Sequence, residues 1–306
     1  MYHTGAMRAI TLRLAPLFFF CAAIAAHAQT PAQPPALLNW SADDEKRVAE
    51  LTAKGERREG KLVVLFTPAG AVDDKEETAL LERLDKGIGE LRALVGRHSW
   101  QVVGDEKISY DVCDERFVAH ASGRAAVFIP LARLRDGRAP YLHEAGHELL
   151  ATFSQPVSPD PARLERIRTS RPLWLTEGLA DNVAQTAASR AGVVEGDVFD
   201  LGGLAGVDAA CRTRLVGPRG AEVLWYIGAL GAPAALFTTE RGEVAPIFYA
   251  CGTSFTKFVV SRIGLPQTIA LMPLVQTGGV LPRIEELAGK PMDALRIEWA
   301  ESIGAR

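Results

Sequence analysis

A chain of 306 residues, 48% hydrophobic and 23% charged, has the make-up of a folded protein able to bury a real core, and disorder is not its default. A formal charge of -3 and a pI near 6.1 leave no basic stripe, which argues against nucleic acid as a partner.

The N-terminal stretch "MRAITLRLAPLFFFCAAIAAHAQT" places Arg8 and Arg13 before an apolar run from Leu14 to Ala26, and "AHA" ends at Ala28. That order matches a secretory signal peptide over residues 1–28, cleaved after Ala28, and implies a periplasmic or secreted protein. The alternative is a membrane anchor, for which the apolar run is short. "QTPAQPPALLNWS" reads as a proline-rich tether over residues 29–40. One continuous domain is expected from 41 to 306, with no stable membrane span after cleavage.

Within that domain "SADDEKRVAELTAKGERR" reads as a helix behind a serine cap. "KLVVLFTPAG" reads as a strand with a Pro-Ala-Gly stop. "DDKEETALLERLDKGIGELRALVG" is a long amphipathic helix with Leu80, Leu81, Leu84, Ile88, Leu91 and Leu94 on one side. "KISYDVC" and "AAVFIPLA" are two further strands, and the turn "RDGRAP" leads into "YLHEAGHELLA". Four prolines in "FSQPVSPDPARLERIRTSRP" mark a loop. "LWLTEGLADNVAQTAA" is the next helix. The glycine-rich stretch 190–248 is harder to read, and its apolar piece from Val223 to Phe237 fits the core. "YACGTSFTKFVVSRIG", "LPQTIALMPLV" and "RIEELAGKPMDALRIEWAESIG" read as three closing helices. The sum is an α+β fold: a small mixed β-sheet, then a mainly helical C-terminal half.

The chemistry concentrates at H-E-x-x-H. On a helix, positions i and i+4 lie within about 40° of each other around the axis, so His143 and His147 face one way and can share one Zn2+. Glu144 stands about 100° from His143, beside the metal and not on it, where a base could take a proton from the attacking water. A catalytic zinc needs a third protein ligand and an open position, and Glu177 in "WLTEGLAD" supplies the ligand. Asp181, one turn further, can hold a ligand histidine through its other ring nitrogen; a surface or capping aspartate is the bland alternative. Hydrolysis also needs a donor for the oxyanion. No histidine follows His147, and only Tyr226 and Tyr249 follow Glu177. Tyr226 lies in an apolar run and reads as core, whereas Tyr249 opens "YACG" at the expected head of a helix.

"HEAGH", "WLTEGLAD" and "YACGTSFTKFVVSRIG" together resemble the gluzincin zinc metallopeptidases, in particular the peptidase MA-like proteins related to the catalytic domain of the zinc aminopeptidases and to thermolysin. The resemblance implies a zincin-like fold. It also implies one zinc per chain on His143, His147 and Glu177, the general base on Glu144, the oxyanion donor on Tyr249, and a thermolysin-type role for Asp181. The expected partner is a peptide or protein substrate. The aminopeptidases carry a glutamate for the substrate's free amine, and "AAVFIPLARL" has no acid, so an endopeptidase is expected over an aminopeptidase. The competing reading is a catalytically inactive zinc-bearing module for binding or assembly in the cell envelope. Removal of the leader takes Cys21 with it and leaves Cys113, Cys211 and Cys251, from which one disulfide in any of three pairings, or three buried thiols, can be made.

Overall fold

A computed structural model describes residues 46, 49–50, 53–101, 103–113, 119–121, 125–152, 162, 165, 169–275 and 277–305, and the expected leader and tether lie outside these. Of the first expected helix, residues 46, 49, 50, 53 and 54 are helical, but "GERR" is not. Glu56–Glu59 instead forms strand β1, paired antiparallel with β2, Val63–Thr67. Four charged side chains hide this strand from any hydrophobic pattern. It occupies the sheet edge, where such residues are tolerated.

Parallel pairing joins β2 to β3, Ile108–Cys113, and β3 to β5, Ala126–Pro130. The two-residue β4, His120–Ala121, adds antiparallel to β5, giving a five-stranded mixed sheet in the order β1-β2-β3-β5-β4. Helix α1, Asp74–Val95, covers the sheet with Leu80, Leu84, Ile88 and Leu91, all buried. Leu81 and Leu94 sit at the margin of that face, and Val95 is buried in their stead. Asp73 caps α1 by accepting from the Glu76 amide at 2.8 Å.

The strand expected through Ala132 stops at Pro130, and Leu131–Arg135 turns into the short helix α2. Helix α3, Tyr141–Leu150, carries the histidine motif. Most of the expected proline-rich loop lies outside the described residues, but 162, 165, 169 and 170 within it are helical. Helix α4, Leu173–Ala191, packs against α1, α3 and, most extensively, α7, Arg241–Ile263. Between α4 and α7 come α5, Gly203–Leu215, then α6, Gly220–Tyr226, and the 3₁₀ turn Ala234–Phe237. The piece 223–237 is core in part: Val223, Ile227 and Leu236 are buried, while Trp225 is exposed.

Tyr249 does not head a helix as expected, because α7 begins two turns earlier and continues through Pro246. The proline forgoes one bond, to the carbonyl of exposed Gly242, which water can satisfy. The other two closing helices each break in two. Leu265–Ala270 (α8) and Met272–Val275 (α9) part near Pro273, and Val280–Ala288 (α10) and Met292–Ser302 (α11) part at left-handed Gly289 before Pro291. Cys211 of α5 and Cys251 of α7 form a disulfide, and Cys113 lies buried apart from it. Among the described residues, no helix is long and apolar enough to cross a membrane.

Candidate metal centre

Helix α3 has no side-chain cap of its own at Pro140. Its first free amides are met from more than 50 residues away, where the Glu195 carboxylate accepts from Leu142 N and His143 N at 2.9 Å. Burial pushes the Glu195 carboxyl up to about 8, against the pull of those two amides. Gly196 makes this approach possible. Its amide donates to the Ala139 carbonyl at 3.1 Å, and a Cβ there would stand 2.3 Å from that oxygen.

The whole of α3 is buried, so its polar groups must find partners inside the protein. His143 Nε2 and His147 Nε2 stand 3.1 Å apart. Glu177 Oε2 of α4 lies 3.5 Å from the first and 3.4 Å from the second. Four-coordinate donors at about 2.0–2.2 Å from one ion are separated by about 3.3–3.6 Å, so this triangle has close to the size of three corners of a metal tetrahedron. The other ring nitrogens are already engaged. His143 Nδ1 meets Asp181 Oδ1 at 2.6 Å and His147 Nδ1 meets Thr152 Oγ1 at 3.0 Å. The Nδ1 atom of His143 is taken up by Asp181, which leaves Nε2 as the ring atom that would face a metal ion. Two ring nitrogens and a carboxylate oxygen that converge on one point suit a cation. The buried group His143, His147 and Glu177 could bind a metal ion.

Charges in the site hold one another in place. Burial opposes a charge on His143, yet Asp181 in contact, then Glu177 and Glu144, raise its pKa well above the usual histidine range. Burial also opposes the Glu177 charge, but His147 and His143 hold its carboxyl well below the usual carboxylate range. Glu144 is raised by burial, in part offset by the two histidines.

Glycine permits the crossing that brings α4 to this point. A Cβ at Gly178 would lie 2.3 Å from Thr256 Oγ1 and 2.6 Å from the Gly252 carbonyl oxygen, both on α7. That close contact sets Asp181 against Thr253, whose hydroxyl donates to Asp181 Oδ2 at 2.5 Å. One turn earlier on α7, Tyr249 lines the same cleft as His143, Glu144 and Asp181. Its phenol is raised above the usual range by burial and then by Glu177, with Arg241 pulling the other way, so it keeps its proton. The ring stacks on Phe199, centroids 4.5 Å apart. Tyr226 is not among the residues that line this cleft.

The three residues read from the sequence as metal donors therefore converge on one point, Asp181 stands behind His143, and Glu144 and Tyr249 line the cleft that His143 also lines. Thr152, Thr253, Glu195 and Arg241 went unread. No local spacing marks the last two, whereas Thr253 lies at i+4 from Tyr249 and could have been sought there.

The chain matches no family model, no curated protein and no solved structure.

Proposed function

We propose that the chain is an exported, zinc-dependent metallopeptidase of the gluzincin type with a zincin-like fold, and an endopeptidase before an aminopeptidase. The observation that carries the reading is the donor triangle of His143, His147 and Glu177. Among the described residues it has three protein donors and not four, and Glu144, next to His143 in the chain, lines the adjoining cleft. A structural zinc site closes with four protein ligands and has no use for such a neighbour.

When bound, zinc would act as a Lewis acid toward water and a substrate carbonyl. Glu144 would take the proton of the attacking water and pass it to the leaving amine. The protonated Tyr249 phenol would donate to the carbonyl oxygen as negative charge builds there. Asp181 fixes the ring of His143, and Thr152 that of His147. Export is supported by the leader-like N-terminus and by the Cys211–Cys251 disulfide, a bond that persists in oxidising compartments.

The test is metal analysis of the protein together with a peptide-library digest, run beside Glu144→Gln. About one zinc per chain is expected in both, with hydrolysis only in the wild type and lost by several orders of magnitude in the variant. Zinc without cleavage in either would instead make the chain a zinc-bearing binding or assembly module. Equal cleavage by both would remove Glu144 from the mechanism.

A further inference from the structure

Beside the donor triangle lies a cleft of about 360 Å³, at the lower end of the range that holds small ligands or a few residues of a peptide. Two of its three acids are already committed: Asp197 accepts from the Leu201 and Gly202 amides at 2.8 Å each, and Asp181 holds His143 and Thr253. The third, Glu144, is neighboured by the positive charge of His143 and His147.

Its two arginines are not committed. Arg241 at the start of α7 gives one N–H to the Leu236 carbonyl at 3.1 Å and one to the Tyr249 phenol. That leaves most of its five donors unspent. Arg133 of α2 lines the cleft and, among the described residues, has no ion pair and no side-chain hydrogen bond. Neither arginine has a carboxylate within 4.0 Å among the described residues. Elsewhere Arg138 pairs with Asp200, and Arg219 with Glu222 and Glu240. Two half-buried guanidinium groups facing one cleft without counter-ions favour an anionic guest, and the planar fork of arginine fits a carboxylate with two parallel bonds. Phe199 and Leu204 line the same cleft and add apolar surface for the rest of the guest.

We propose that this cleft selects peptides that bring a carboxylate to Arg133 and Arg241, close to the bond that is cut. The proposal rests on the peptidase reading. A carboxylate can come from a Glu or Asp side chain or from the substrate's own C-terminus, and both place the same planar anion against the same forks.

Two arms of one experiment separate these sources. The zinc-loaded protein is given peptides that differ only as Glu against Gln, or as a free C-terminus against its amide. Turnover of the acidic member of one pair should exceed that of its neutral twin by about tenfold or more. Both Arg133→Gln and Arg241→Gln should shrink that ratio toward one. Equal turnover of acidic and neutral twins overturns the proposal, as does a preference that survives both substitutions.

Binding is read separately by calorimetry on zinc-loaded Glu144→Gln, with acetyl-Ala-Ala-Glu-amide against acetyl-Ala-Ala-Gln-amide, and acetyl-Ala-Ala-Ala acid against its amide. If no peptide is cut but an acidic probe still binds about tenfold tighter through the arginines, the peptidase reading fails and the carboxylate site stands. If peptides are cut and neither acidic probe is favoured, the carboxylate site fails and the peptidase reading stands.

Discussion

The two sides of the cleft are built by different means. On one side, α3 presents His143, Glu144 and His147 from a single stretch of five residues, and the geometry of one helix aims both rings at a common point. On the other, Phe199, Arg241, Tyr249 and Thr253 come from two separate segments brought together by packing on α4 and by the stack of Phe199 on Tyr249. The first side is short-range and its chemistry is written in residue spacing. The second is long-range, and it exists only because helices meet at particular heights. The metal-donor side should therefore fail by losing an atom that would touch a metal ion, and the facing side by losing a position.

The largest expected effect is on the metal-donor side. Removal of one corner of the triangle in His147→Ala should lower zinc from about one per chain to near zero, read by metal analysis of the dialysed protein. Full zinc in that variant would dismiss the assignment.

Next comes the facing side. Tyr249→Phe is expected to lower turnover about 100-fold with little change in substrate binding and none in zinc content, while Tyr226→Phe keeps its turnover. If instead Tyr249→Phe lowers only the thermal midpoint, the phenol is a packing group, and the comparison between the two sides loses its chemical half.

A smaller effect belongs to the groups behind the rings. Asp181→Asn and Thr152→Val should each weaken zinc affinity by about 10–100-fold, measured by competition with a chelator, because the rings lose the partners that fix them. Unchanged affinity in both would mean that the donors hold their geometry by packing alone.

The smallest effects sharpen the contrast through two glycines. Gly178→Ala drives a Cβ into the α7 backbone and should cost about 1–3 kcal/mol or more in denaturant unfolding. Gly146→Ala, inside the histidine motif itself, meets Val183 and Ala180 only at 3.4 Å and 3.5 Å and should change stability by no more than about 1 kcal/mol. Were the two costs equal, the close crossing of α4 and α7 would not be what positions Glu177 and Asp181.

The sequence by itself determined the elements whose signal is local. Leucines at helical spacing made α1, the β-branched run made β2, and the i, i+4 histidines made one face of α3, because each pattern repeats with the period of the backbone that bears it. It also named Glu177 and Asp181, whose spacing on one helix lets both face the same site. The tertiary structure alone decided the rest. It paired the charged edge strand β1 with β2, chose Cys211 and Cys251 among three possible partnerships, and ran α7 through Pro246 so that Tyr249 lies mid-helix. It also sent Glu195 back to cap α3 and left Arg133 and Arg241 facing the cleft. These are contacts between residues tens of positions apart, and their energy comes from burial and close approach, which no periodicity along the chain records.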